Sequence, residues 1–239
     1  MNFIILAVLA QLTFPSPDSL IAAVDSAQQQ ITSMAGTITR EITSLESPVT
    51  ELYGKFYWHK QRYRLDFITP QECHVIFDGH RILINRPAEH EFTVKEIVHP
   101  LRASADLATP WFPSLQALKG DFAFGLVGHG EIEGCSVWVL EGTTPDTAKH
   151  PNRVMLWIDQ ILLQPLRVET YDGGTHPTSI YLIDSLAVFD STRVPVKFRN
   201  WLGIGGDAVE VTTVLSGLRL NFPLPDDLFQ IKLPQDGKN

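Results

Sequence analysis

The sequence predicts an α+β fold that is mainly β, with one antiparallel sheet and a few helices. After Gly36 the spacing of apolar residues changes to two and largely stays there, which indicates strands with one buried and one solvated face. Short turns separate successive segments, and such turns join antiparallel strands, because parallel strands need long crossovers. One capped amphipathic helix precedes these strands and supplies a cover for the sheet.

The first predicted element is this helix, which starts at Ser16 and ends at Gly36. Ser16 is placed to cap it, Pro17 to take its first position, and Asp18 to face its positive end. Apolar residues then recur at helical spacing, namely Leu20, Ile21, Val24, Ala27, Ile31 and Met34. A helix with one such stripe must pack against another element.

An antiparallel meander follows the helix. In its third strand Tyr63, Leu65 and Phe67 alternate with charged residues, and Asp78-Gly79 is a strong hairpin signal between the fourth and fifth. The predicted strands are residues 37–43, 51–59, 62–67, 73–77 and 80–85. Short turns between these strands make a parallel α/β sheet untenable.

The middle of the chain is less regular. Residues 92–98 fit a strand or a helix, and residues 101–119 fit one or two short helices broken by Pro110 and Pro113. Strands are predicted again at residues 121–129, 134–140, 154–159, 165–171, 178–188, 194–201 and 208–222, the last with a bulge near Ser216-Gly217. Residues 223–229 predict a single helical turn.

Charge and composition exclude several classes of function. The net charge is −8 and basic residues are scattered singly, so a nucleic-acid-binding surface is not expected.

Residues 1–14 are apolar and could form a signal peptide or a buried strand, but they are too short to span a bilayer. Cys73 and Cys135 match no metal or redox spacing and could pair or stay free. Residues 15–239 are predicted to form a single domain.

No catalytic or metal-binding motif is present. The histidines lack a zinc spacing such as H-E-x-x-H, and no nucleophile elbow or phosphate loop occurs. In the hairpin of residues 154–172, Arg167, Glu169 and Tyr171 are predicted to point to the wet face. Arg167 and Glu169 are predicted to form a cross-strand ion pair with Asp159. An enzyme would need a cleft that gathers several of His59, His74, Asp159 and Glu169. We therefore expect no cofactor, no metal and no enzymatic activity.

Several segments resemble the LolA family of periplasmic lipoprotein carriers and related outer-membrane lipoprotein-sorting proteins. The segments GKFYWHKQRYRLDF and VIFDGHRILINRP are similar to the first half of the family pattern. VMLWIDQILLQPLRVETYD is similar to its central hairpin, and FPLPDDLFQIKLPQDG to its end. The turn at residues 59–61 lacks the family's usual proline, and residues 101–119 have no counterpart.

This resemblance implies a strongly curved antiparallel sheet, an incomplete barrel closed by a few helices, around an apolar cavity for acyl chains. It implies a non-enzymatic periplasmic or cell-envelope protein whose partner is a lipid or the acyl chain of a lipoprotein. The alternative is an envelope sensor or scaffold that binds a protein partner through the same sheet. The residues expected to line the cavity are Phe56, Trp58, Tyr63, Leu65, Phe67, Val75, Phe77, Leu156, Ile158, Leu166 and Val168.

Overall fold

The structure is a computed structural model that describes residues 14–45, 47–97, 114–146, 151–190, 192–203 and 208–231. The apolar N-terminus through residue 13 and most of the predicted helical segment at 101–119 lie outside these residues. The described helices are α1 (Pro17–Gln28) and α2 (Leu115–Leu118), with 3-10 turns at Pro87–Glu89 and Asp226–Phe229. No described helix has both the length and the apolar character that a bilayer crossing requires.

Thirteen strands form the sheet. They are β1 (Ser33–Ser44), β2 (Thr50–His59), β3 (Arg62–Thr69), β4 (Cys73–Phe77), β5 (Arg81–Arg86), β6 (Glu91–Glu96), β7 (Ala123–Ile132), β8 (Cys135–Thr143), β9 (Arg153–Asp159), β10 (Pro165–Tyr171), β11 (Ser179–Phe189), β12 (Thr192–Leu202) and β13 (Val209–Leu220). The predicted hairpins are confirmed, and residues 92–96 of the ambiguous segment belong to strand β6. Cys73 and Cys135 are both free.

The sheet is a meander interrupted at one place. The strand order is β6-β5-β4-β3-β2-β1-β13-β12-β11-β10-β9-β8-β7, and every pairing is antiparallel. The first strand therefore pairs with the last at the centre, while β6 and β7 form the two edges. A pair between β6 and β7 would close a barrel, and its absence from the described strands leaves the predicted incomplete barrel.

The predicted C-terminal half of the first helix is wrong. Helix α1 ends at Gln28, and Met34 lies on β1 instead of on a helical stripe. Strand β1 pairs with β2 on one side and with β13 on the other, so its backbone hydrogen bonds outweigh the weak helical pattern. Ile31 and Met34 are still buried, at 4% and 0% exposed, but in the core of the sheet.

The predicted bulge in the last strand is confirmed. The register between β1 and β13 shifts between Ala35 and Thr37, which gives β13 one extra residue. Gly217 lies there with a φ of 59°, a conformation that glycine adopts without strain. On the facing strand a Cβ on Gly36 would lie 2.6 Å from the carbonyl oxygen of Ser216. Glycines on both strands therefore let the central pair come close together.

A buried carboxylate attaches α2 to α1. Asp25 is 6% exposed and accepts hydrogen bonds from Ser114 Oγ at 2.7 Å and from the backbone N–H groups of Leu115 and Gln116 at 2.8 Å. These N–H groups are in the first turn of α2, where a helix has no internal acceptors for them. Asp25 therefore sets the position of α2, although no sequence motif identifies it.

We expect Asp25→Ala to lower the free energy of unfolding by about 3 kcal/mol, because one buried and two partly buried donors lose their acceptor. Urea denaturation followed by circular dichroism measures the change. Asp18→Ala is the matched control on the same helix, since its carboxylate is 77% exposed and pairs only with Lys119 among the described contacts. The control should cost less than about 1 kcal/mol. Equal effects for the two variants would contradict the role of Asp25.

Gly54 allows β3 to approach β2. An added Cβ would lie 2.1 Å from the carbonyl oxygen of Asp66 and 2.7 Å from the Cα of Phe67, and both are backbone atoms that cannot rotate away. The register between the two strands also shifts beside it, between Tyr53 and Gly54. Gly54 opens the first segment of the LolA-like pattern, and this close approach is a physical reason for a glycine there.

Gly54→Ala should destabilise the protein by about 3 kcal/mol, because the methyl group forces the two backbones apart. Gly125→Ala on β7 is the matched control, since its Cβ would meet no atom within 4 Å. The control should leave the stability unchanged or raise it by up to about 1 kcal/mol, as alanine restricts the unfolded chain. Thermal unfolding of both variants measures the change in midpoint temperature. An unchanged midpoint for Gly54→Ala would refute this steric account.

Candidate functional site

The candidate site is the apolar inner face of the sheet. Every second residue along each strand points to this face. These residues pack into two clusters, which we call the sheet core and the helix core. The sheet core draws on β1–β5 and β11–β13 and consists of Ile31, Met34, Ile38, Phe56, Trp58, Tyr63, Leu65, Phe67, Val75, Ile82, Ile183, Val194, Phe198 and Leu215.

The helix core lies under α1 and α2. Leu20, Ile21 and Val24 of α1 are at most 2% exposed, and Leu115 and Leu118 of α2 are fully buried. They pack with Phe122, Leu140, Val154, Leu156, Ile158 and Val168. The predicted apolar stripe of the first helix is thus correct as far as Val24, and the surface that it covers is the β8–β10 part of the sheet.

The two cores meet at Tyr181 on β11. This side chain packs against both clusters, and its ring centroid is 5.5 Å from that of Phe198. Burial raises the pKa of the Tyr181 hydroxyl well above its ordinary value, because the phenolate would lose its hydration. The inner face is therefore one continuous apolar surface that runs from β5 across the centre of the sheet to β8.

The structure buries most of the residues predicted to line the cavity and divides them between the two cores. Phe56, Trp58, Tyr63, Leu65, Phe67 and Val75 belong to the sheet core, while Leu156, Ile158 and Val168 belong to the helix core. Phe77 is half-buried and packs against the sheet core. Leu166 is 6% exposed but belongs to neither cluster. Whether they contact a ligand remains a proposal.

Three polar residues on the inner face escaped the sequence analysis. Arg40, Asn200 and Thr213 are 7%, 2% and 0% exposed. They share the inner face with Ile38, Phe198 and Leu215, two residues along their respective strands. The period-two spacing of Arg40 with Ile38 in the predicted strand was the signal that could have identified an inward-pointing arginine.

Arg40 carries its charge into the apolar interior. Its guanidinium carbon lies 5.6 Å from the centroid of the Phe67 ring, an arrangement typical of a cation–π contact. Desolvation lowers the pKa of Arg40 to about 10, partly offset by the Tyr63 phenol. At neutral pH the residue is still protonated, so the inner face contains one permanent positive charge.

The predicted wet face of the β9–β10 hairpin is wrong for two of its residues. Glu169 and Tyr171 are 6% and 8% exposed. Glu169 accepts hydrogen bonds from Arg167 and from the Tyr171 hydroxyl, and burial together with this bond raises the pKa of Tyr171 to about 12. The guanidinium of Arg167 also lies 5.2 Å from the Trp157 ring centroid. Trp157 and Glu169, two residues of the family-like pattern, are thus joined through Arg167.

The predicted cross-strand ion pair of Asp159 is also wrong. Its carboxylate accepts hydrogen bonds from the backbone N–H groups of Ile161 and Leu162, at 2.7 and 2.6 Å. The aspartate therefore caps the turn that connects β9 to β10, a common local role for this residue type. Its side chain makes no ion pair with Arg167 or Glu169 among the contacts of the described residues.

No enzyme-like cleft gathers the candidate acid–base residues of the described chain. His74 on β4 lies 2.7 Å from Asp66 and 3.0 Å from Glu72, while His59 lies 3.0 Å from Arg62. Asp159 and Glu169 are on β9 and β10, in the other half of the sheet. Burial and the neighbouring Arg62 lower the pKa of His59. Within the described residues no group of three or more His, Cys, Asp or Glu side chains could hold a metal ion.

Comparison with known proteins bears on the fold. No protein-family model and no curated protein matches the sequence. Solved structures do match, and three of them agree with this chain over most of its length. A LolA superfamily protein of Nitrosomonas europaea has a TM-score of 0.65 and 15% identity, over 91% of this chain and 99% of its own. A DUF1329 family protein of Desulfovibrio piger has a TM-score of 0.65 and 16% identity, over 88% and 94%.

The third structure is a Vibrio parahaemolyticus domain assigned to outer membrane lipoprotein sorting. Its TM-score is 0.63 at 14% identity, over 87% of this chain and 95% of that domain. Nearly the whole length of all three proteins is therefore matched, and the curved, open antiparallel sheet is the fold class that the resemblance implied. The chain has the LolA-like fold, a curved antiparallel sheet not closed into a barrel, with helices packed on its inner face.

Proposed function

We propose that the chain is a non-enzymatic binding protein of the cell envelope that holds an acyl chain of a lipid or lipoprotein against the inner face of its sheet. The observation that carries this proposal is the continuous apolar surface formed by the sheet core and the helix core. A hydrocarbon chain needs apolar contact along its whole length and few polar groups, and this surface fits that requirement.

The break in the sheet supports a route for the ligand. Strands β6 and β7 are its two edges, so the inner face is not enclosed by hydrogen-bonded strands at that side. The segment between them carries α2, which Asp25 attaches to α1. We infer that α1 and α2 move together to admit a chain, because their mutual contacts are polar and strong while their contacts with the sheet are apolar and non-directional.

The comparisons support the location of this function in the periplasm or envelope. The matched Vibrio domain is assigned to outer membrane lipoprotein sorting, and this chain covers 95% of it. At 14% identity the likeness concerns the fold, so ligand binding by this chain needs its own test.

Native mass spectrometry of protein purified from cells tests the proposal directly. The spectrum should contain adducts with the masses of acyl lipids, and delipidated protein should take up added phospholipid or a diacylated peptide. Protein that carries no lipid and binds neither probe would refute acyl-chain binding. A stoichiometric protein adduct without lipid would instead favour the sensor or scaffold alternative.

Phe77→Asp should weaken binding of the diacylated peptide at least tenfold. Phe77 is half-buried at the margin of the sheet core, and its ring centroid is 5.1 Å from that of Tyr63. A bound acyl chain would have to remove water from a carboxylate at this position, which costs free energy. Ile68→Asp is the matched control, since Ile68 is 65% exposed on the neighbouring strand β3. The control should bind normally. Equal affinities for both variants, measured on folded protein by calorimetry, would contradict an inner-face site.

A further inference from the structure

A small group of polar residues lies within the apolar inner face, and we call Arg40, Asn200 and Thr213 the inner polar patch. They lie on β1, β12 and β13, three neighbouring strands at the centre of the sheet. Arg40 is directly opposite Thr213, and Phe198 is opposite Thr213 on its other side. All three are more than nine-tenths buried. The patch is therefore a feature of the interior.

Two of its polar atoms are available for a ligand. Among the described residues, neither the Oδ1 atom of Asn200 nor the Oγ1 atom of Thr213 has a hydrogen-bond partner. Nearly all buried polar atoms in folded proteins are bonded, and the exceptions commonly mark a place for a water, an ion or a ligand. Two such atoms on adjacent strands, beside a buried arginine, form a polar site of defined composition.

The patch has access to apolar surface on both sides. Arg40 lies over the Phe67 ring of the sheet core. Asn200 is opposite Tyr181, the residue that contacts both cores. A ligand whose polar end sits at the patch can therefore extend a hydrocarbon tail over either core without leaving the inner face.

We propose that the inner polar patch binds the carboxylate of a long-chain fatty acid whose tail lies on the apolar inner face. This inference rests on the proposed acyl-chain function and specifies the chemistry of the ligand's polar end. The Arg40 guanidinium and the Thr213 hydroxyl can donate hydrogen bonds to carboxylate oxygens, and Asn200 can donate through its amide nitrogen when the amide group is turned over. The guanidinium also matches the planar geometry of a carboxylate.

The charge of the patch favours a carboxylate over other lipid ends. One guanidinium neutralises one negative charge, and an anion brought into this low-dielectric interior gains from that proximity more than it would in water. A neutral ester would accept hydrogen bonds but would bring no negative charge to the Arg40 guanidinium. The pKa of Arg40, lowered to about 10 by desolvation, still leaves it protonated at neutral pH.

Comparison of palmitate with methyl palmitate tests the inference, because the two differ only in the charge of the polar end. Delipidated full-length protein should bind palmitate about tenfold to a hundredfold more tightly than the ester, the range expected for a charged hydrogen bond. Arg40→Met keeps most of the side-chain volume and should reduce this preference to less than about threefold while methyl palmitate still binds. Displacement of a fluorescent polyene fatty acid measures both affinities.

Two further variants keep the test decisive. Thr213→Val is nearly isosteric and should reduce the preference for palmitate several-fold, so it serves if Arg40→Met fails to fold. Arg193→Met removes an exposed arginine from the same strand as Asn200 and should leave the preference unchanged. Circular dichroism establishes that each variant is folded.

The outcomes separate this inference from the function on which it rests. Binding of both ligands with equal affinity, or a preference that survives in Arg40→Met and Thr213→Val, would overturn the carboxylate site and leave acyl-chain binding intact. Failure of both ligands to bind the unmodified protein would overturn both proposals. A preference that Arg40→Met and Arg193→Met reduce alike would show a general charge effect and would also overturn the site.

Discussion

The pairing of the first strand with the last is the interaction on which the rest of the structure depends. Every other strand pair joins neighbours in the sequence, so each can form as a local hairpin. Among the described strands, the β1–β13 pair alone joins the six strands at the N-terminal side of the sheet to the seven at the C-terminal side. Without it, the same hairpins would form two separate sheets.

Side chains reinforce this long-range contact at one end of the pair. The Asn221 amide oxygen accepts a hydrogen bond from the backbone N–H of Thr32, and its amide nitrogen donates to the carbonyl of Gln30. The Ser33 hydroxyl lies between the carbonyl oxygen and the N–H of Phe222 and bonds to both. These contacts span about 190 residues, so they offset part of the loop-closure entropy that so distant a pairing must overcome.

The same pairing creates the chemistry of the inner face. It puts Arg40 opposite Thr213 and makes the apolar surfaces of the two halves continuous. Helices α1 and α2 then cover the β8–β10 part of that surface. An asymmetric interior of this kind, apolar with one cationic position near its centre, suits a long amphiphile better than a small polar metabolite.

Local patterns in the sequence were sufficient for most of the strands, but not for β6 or the start of β1. They were also sufficient for the hairpins at Asp78-Gly79 and in residues 154–172 and for the bulge near Gly217, because period, turn chemistry and glycine act over a few residues. They also placed Tyr63, Leu65 and Phe67 on one face of their strand, and these residues are buried in the sheet core. Only the tertiary structure determined four other features. They are the end of α1, the cap made by Asp159, the attachment of α2 by Asp25 and the inward position of Arg40. Each of these features depends on which backbone groups or strands come together in the folded protein. The β1–β13 pairing determines many of these contacts, and it joins segments that are too far apart in the sequence for a local pattern to predict.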